Sequence, residues 1–165
     1  MPISSAPGDG TPILREARPR DLDGLWRLDQ LCFEPGIAYS RSELSRFLAL
    51  PGAVGVVAEV GPLLCGFALA CPEPPQSAHV VTLDVHPTLR RRGLGRRLIE
   101  WVLERSGARR TVLEVDVRNS GAVAFYRSLG FRESGRLVSY YGPGLDALRM
   151  VRNPDPTDGR RTRGR

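Results

Sequence analysis

The 165 residues suit one domain with room for its own core, and 41% hydrophobic with 25% charged residues argues against a fibrous, disordered or membrane-embedded chain. The formal net charge is +6 and all 24 basic residues are Arg, a balance that suits a phosphate-rich cofactor, an acidic substrate or RNA without choosing among them. The three cysteines, Cys32, Cys65 and Cys71, have no C-x-x-C spacing, which argues against a disulfide framework or zinc site and points to a reducing cytoplasm.

Residues 1–12 carry Pro, Gly and Ser but no apolar signal core, and no stretch approaches membrane-spanning length, so secretion and membrane insertion are disfavoured. They read as a flexible lead-in, and residues 153–165 as a flexible basic tail, leaving 13–152 as the folded domain. Solvated charge is the ordinary meaning of such a tail, which disfavours nucleic acid as a partner.

Ile13 to Ala17 reads as a strand, and Leu22, Leu25, Trp26, Leu28 and Leu31 have the spacing of a helix over 21–32. Ser40-Arg41-Ser42-Glu43 has the form of a capping box and predicts a short helix ending before Pro51. Residues 53–60 and 63–71 flank Gly61-Pro62 and predict a β-hairpin. The run 79–85 predicts a central strand stopped by His86-Pro87. A helix over 93–106 and a strand over 111–117 follow, and then a helix around Val123 to Leu129 closed by Gly130. Strands near 131–140 and 146–151 finish a mixed α/β structure with one βαβ crossover in its middle.

That crossover holds the most informative turn. Arg90-Arg91-Arg92-Gly93-Leu94-Gly95-Arg96 joins a strand to the first turn of an amphipathic helix. A helix start offers free N–H groups and partial positive charge, glycines let the backbone approach an anion, and guanidinium groups neutralise it. A diphosphate fits such a turn. The Lys of a P-loop is missing, and Leu98 stands where the third Gly of G-x-G-x-x-G would be, so ATP and NAD are poorer candidates. A tight turn under a wet basic surface is the competing interpretation.

The run Leu83-Asp84-Val85-His86-Pro87, then Arg90-x-x-Gly93-x-Gly95, then Asn119 and Ala124-Phe125-Tyr126-Arg127-Ser128-Leu129-Gly130-Phe131, resembles the GCN5-related N-acetyltransferase (GNAT) superfamily. Leu113-Glu114-Val115, Asn119, Tyr126, Tyr140-Tyr141 and Asp146-Ala147-Leu148-x-Met150 look like its RimI group, bacterial ribosomal-protein alanine N-acetyltransferases. The resemblance implies a GNAT fold, a mixed and mostly antiparallel sheet of about six to seven strands flanked by about four helices. It also implies acetyl-CoA as acetyl donor, bound by Leu83, Val85, Arg90, Arg91, Arg92, Gly93, Leu94, Gly95, Arg96, Asn119 and Tyr126. The acceptor it implies is an amine, first of all a protein N-terminus, on a monomer or homodimer.

An ammonium cannot attack a thioester, so a base must take a proton, the carbonyl must be polarised and the leaving thiolate needs an acid. Strand alternation sets Glu114 and Asp116 on the face opposite Leu113, Val115 and Val117. Glu114 is a reasonable base on that ground, and its equivalent in the RimI group is the proposed base; pairing with an arginine is the bland alternative. Tyr126, a phenol protonated at neutral pH, suits the acid role, with core packing beside Phe125 and Phe131 as its alternative. Asn119 lies seven residues before Tyr126, on one face if the helix covers both, so that its amide reaches the pantetheine arm. The superfamily polarises the carbonyl with backbone N–H near Val85. Tyr39, Tyr140 and Tyr141 are the acceptor-side candidates, packing being their alternative. His79 and His86 read as structural, and no metal cluster is visible. A small-amine acetyltransferase and a non-catalytic acyl-CoA sensor remain the competing functions.

Overall fold

A computed structural model of the chain describes residues 10–153. The lead-in residues 1–9 and the tail residues 154–165 lie outside the described residues.

The elements follow the hydrophobic pattern closely. They are β1 (Ile13–Glu16), α1 (Leu22–Cys32), α2 (Arg41–Ala49), β2 (Val54–Val60), β3 (Leu63–Glu73), β4 (Ser77–Val85), α3 (Leu94–Ser106), β5 (Arg110–Asp116), α4 (Ser120–Ser128), β6 (Arg132–Gly142) and β7 (Leu145–Arg152). One seven-stranded sheet runs in the order β1-β2-β3-β4-β5-β7-β6. Only the β4–β5 pairing given by residue is parallel, and α3 is the crossover that a parallel pair needs. The mixed α/β architecture with four α-helices is thus as the pattern predicts.

The chain forms two compact units. In the first, whose described residues are 10–72 and 80–107, β2 pairs antiparallel with both β1 and β3. Leu25 and Leu28 of α1, Leu44 of α2, Val57 and Phe67 share one apolar cluster. The predicted capping box is made: Ser40 Oγ accepts from the Glu43 N–H at 3.2 Å, and Glu43 Oε2 accepts from the Ser40 N–H at 2.8 Å. Leu94, Leu98, Ile99 and Val102 turn the apolar stripe of α3 into the core. Gly66 lets β3 approach that helix, because a Cβ there would stand 2.9 Å from Leu98 Cδ1 and 3.2 Å from the Asp84 carbonyl.

A pair of acids is buried in the same unit. Asp29 is 0% and Asp84 1% exposed, and Asp29 Oδ1 and Asp84 Oδ2 have no partner among the described protein atoms. Their other oxygens are committed: Asp29 Oδ2 accepts the Tyr39 N–H at 2.7 Å, and Asp84 Oδ1 accepts the Thr82 hydroxyl at 2.5 Å. Burial pushes Asp84 well above the carboxylate range, helped by the charge of Asp29, and burial raises Asp29 to about 6. One proton kept on Asp84 and donated to Asp29 gives both orphaned oxygens a partner.

That arrangement fixes a sign. Both acids hold protons more tightly folded than unfolded, so above the ordinary carboxylate value of about 4 the native state keeps protons that the unfolded chain has released. The contribution of these two acids to stability is therefore greatest below that pH and is lost as pH rises through about 6, where Asp29 titrates. Asp84→Asn keeps a donor towards Asp29 and an acceptor for Thr82 without a charge to bury. Urea unfolding should show Asp84→Asn more stable than the parent at pH 8, by on the order of 2 kcal/mol, with little difference at pH 3. Parallel pH profiles for the two proteins would refute the shared proton.

The second unit's described residues are 73–79 and 108–153. Its ladder from β4 to β5 is short, Ser77↔Arg110, Ala78↔Thr111 and His79↔Val112. β7 then pairs antiparallel with β5 and with β6. α4 ends in a Schellman motif: Gly130, at φ +89°, donates to the Arg127 carbonyl at 3.0 Å, and Phe131 donates to that of Tyr126 at 3.1 Å. This is the role predicted for Gly130, and it folds Phe131 back against the helix it follows.

Candidate active site

In the first unit, β4 delivers the chain to the Arg-rich turn. Val85 at its end is partly buried, as is Leu83 two residues earlier, and the Val85 carbonyl accepts from Arg90 Nε at 3.1 Å and from the Cys32 thiol at 3.4 Å. Burial, then the charge of Asp84, pushes that thiol up to about 12, so it stays protonated. Gly93 is the N-cap of α3 at φ +81°, and no side chain caps the helix. A Cβ at Gly93 would meet nothing within 4 Å. The first N–H groups of α3 are therefore presented behind an open approach, with the partial positive charge of the helix start.

The arginines divide by what they already hold. Arg90 is tied to β4, Arg96 pairs with Glu100 at 3.3 Å, and Arg97 donates to the Pro12 carbonyl at 3.3 Å. Arg91, itself at φ +61°, and Arg92 are exposed and carry no ion pair among the described residues. Leu94 buries its side chain, so what it offers an anion is its N–H, and half-buried Gly95 adds another without a side chain. An uncapped helix start and two unpaired guanidinium groups fit a diphosphate, and a coenzyme A bound there would be held by its 94–96 N–H groups, Arg91 and Arg92.

The second unit gathers the acid and base candidates. Glu114 on β5 is 9% exposed in its side chain, and His79 Nε2 lies 2.5 Å from its Oε2. Arg149 on β7, directly opposite Glu114 in the register, stands further off, NH1 to Oε1 3.9 Å, and reaches Glu73 at 3.6 Å. His79, read from the sequence as structural, is the nearest partner of Glu114. Asp116 has a different task, since Arg118 forks onto it and holds it below the usual carboxylate range.

Tyr126 is 9% exposed on α4, its ring edge-to-face with Phe125 at 5.3 Å and Phe131 at 5.7 Å between centroids. Packing therefore fixes the phenol, whatever else it does. Asn119 is not inside the helix as the two-turn spacing supposes. It is the N-cap, φ −86° and ψ 72°, and its Oδ1 accepts the Ala122 N–H at 3.0 Å, because a short polar side chain serves the orphan amides better than a helical turn would. Tyr140 and Tyr141 meet edge-to-face at 4.9 Å where β6 slips register between Leu137 and Gly142, with Ser139 at φ +52°. Burial, then the charge of Glu114, raises the Tyr140 phenol, which stays protonated. Tyr39 belongs to the first unit; its hydroxyl donates to the Val81 carbonyl at 3.3 Å and its ring meets Phe47.

Residues 22–131 match the Acetyltransferase (GNAT) family. The chain belongs to that family. No curated protein sequence matches it. Among solved structures it is similar to the ribosomal-protein-S18-alanine N-acetyltransferase of Escherichia coli, with a TM-score of 0.78 at 23% identity over 87% of this chain and 94% of that one. It is also similar to Arabidopsis thaliana NAA60 in complex with acetyl-CoA, 0.75 at 22% over 87% and 98%. A spermidine N-acetyltransferase of Vibrio cholerae gives 0.67 at 24% over 85% and 92%. These likenesses show the GNAT fold and leave the acceptor open.

Within the GNAT frame the motif residues divide by unit. Leu83, Val85 and the 90–96 turn belong to the first, and Glu114, Asn119, Tyr126, Tyr140 and Tyr141 to the second. His79 and Arg149 were the residues the motifs did not supply. The signal for His79 was present in the spacing, since parallel pairing of His79 with Val112 sets Glu114 two residues along on the same face.

Proposed function

We propose that this GNAT enzyme uses acetyl-CoA to acetylate the α-amine of a protein or peptide N-terminus. The observation that carries the donor half is the uncapped, glycine-headed start of α3, preceded in the chain by exposed Arg91 and Arg92. Support for the acceptor half comes from similar structures of ribosomal-protein-alanine N-acetyltransferases. A polyamine is the second acceptor class, favoured by the spermidine enzyme among the similar structures.

Acetyl-CoA supplies an acyl group activated as a thioester, with a thiol as leaving group. Glu114 takes the proton that the attacking amine sheds, directly or through water. Tyr126, held by Phe125 and Phe131, gives a proton to the departing sulfur, and backbone N–H at Val85 polarises the carbonyl. Asn119 retains its amide nitrogen for the pantetheine arm while its oxygen caps α4. We take Tyr39, Tyr140 and Tyr141 as the acceptor-side residues. A route through an acyl-cysteine is disfavoured, because burial holds all three thiols up, Cys32 at about 12 and Cys71 at about 11. These free thiols suit the cytoplasm we infer as its compartment, and no described helix is long and apolar enough to cross a membrane.

The test is thiol release from acetyl-CoA with a panel of short peptides bearing free or blocked N-termini, alongside spermidine. Peptide-dependent release abolished by blocking supports the reading; release with spermidine alone moves the acceptor to small amines. Tyr126→Phe should lower kcat about 10- to 100-fold while coenzyme A affinity stays within about twofold. An unchanged kcat removes Tyr126 from the acid role.

A further inference from the structure

We propose that His79 is the positioning residue of the acetyltransferase base: by donating Nε2–H to Glu114 Oε2 it keeps that carboxylate out of a bidentate hydrogen-bonded clamp by Arg149. The inference rests on Glu114 being the base, as proposed above.

The register of the sheet creates the competition. Glu114 and Arg149 are directly opposed on β5 and β7, and cross-strand neighbours of this kind have Cβ atoms about 5 Å apart. Arginine forks readily onto a carboxylate so placed. Yet the guanidinium stops 3.9 Å from Oε1, beyond hydrogen-bonding distance, and its other nitrogen reaches towards Glu73 at 3.6 Å. It closes on neither acid. The contact that is made is His79 to Oε2 at 2.5 Å, from the last paired position of β4.

The consequence for chemistry lies in the two oxygens of Glu114. Oε2 is committed to the imidazole, and Oε1 faces only the more distant Arg149 among the described residues. Oε1 is therefore the oxygen that accepts the proton of the amine. A bidentate clamp by Arg149 would occupy both oxygens and stabilise the charge that the base must give up. The Glu114 side chain is 9% exposed and His79 27%, so the imidazole also stands on the side nearer water. Tyr140, whose phenol feels the charge of Glu114, and Arg149, which also reaches towards Glu73, are further charged or titratable groups bearing on the acid.

Steady-state thiol release, with acetyl-CoA and whichever amine the acceptor panel selects, tests the assignment. His79→Ala should lower kcat about 30-fold with KM for acetyl-CoA within about twofold. His79→Gln, which keeps a donor, should retain at least about a third of the parent kcat. Adding Arg149→Met to His79→Ala should restore about fivefold or more, because the competing clamp is gone. A purely structural His79 would give no rescue by either route. Should His79→Ala fail to fold by circular dichroism, His79→Gln and His79→Phe decide, the second filling the space without a donor; equal kcat in both overturns the proposal. Glu114→Gln separates the two ideas. If it abolishes turnover while His79→Ala turns over at the parent rate, His79 has no positioning role and Glu114 stands; if it turns over normally, Glu114 is not the base and the assignment of His79 falls with it.

Discussion

Glu114→Gln should lower kcat about 10²- to 10³-fold while leaving coenzyme A binding within about twofold of the parent. Glutamine keeps the shape, and its amide oxygen can still accept from His79, so the β4–β5–β7 packing around it survives. What it cannot do is take a proton from an ammonium or amine. The loss should therefore appear in kcat and kcat/KM together, the pattern of an interaction made only on the way to the transition state. Raising the pH should recover part of the rate, since more of the acceptor then arrives already deprotonated. A variant with the parent kcat at neutral pH would move the base elsewhere.

Gly93→Val should weaken coenzyme A binding about 10- to 100-fold, the cost of losing one or two charge-assisted hydrogen bonds. Space is not the obstacle within the protein, because a Cβ at Gly93 meets nothing within 4 Å. Two other effects decide. A β-branched residue at φ +81° is strained, by about 1–3 kcal/mol, and relaxes by moving the first turn of α3. The side chain also fills the approach that an anion needs to reach the helix N–H groups. Gly107 supplies the control, since it ends the same helix at φ +59° with equally open surroundings. Gly107→Val should carry a similar stability loss and leave coenzyme A affinity unchanged. Equal weakening by both substitutions would mean that Gly93 matters only to the fold.

How far the sequence discloses this site varies with the kind of interaction. Local patterns are legible: the Ser40 to Glu43 capping box, the Gly130 cap and the strand ending before Pro87 all depend on neighbours within a few residues. Motif residues in loops and helix starts, such as Gly93, were legible for the same reason. Pairings across the sheet were not. His79 and Glu114 are 35 residues apart, and only the parallel register of β4 and β5 makes them partners. Asp29 and Asp84 were likewise hidden, since nothing in either local sequence says that two acids will be buried face to face. Asn119 shows a subtler limit. Counting seven residues to Tyr126 assumes a helix already begun, whereas an Asn at that point favours capping over joining.

The central claim is that the start of α3 grips the diphosphate of coenzyme A, and calorimetry with two ligands tests it most directly. Coenzyme A should bind with measurable heat, and pantetheine, which has the thiol arm and no diphosphate, should bind at least about 100-fold more weakly. Equal affinity for the two, or no heat with coenzyme A, would contradict the account.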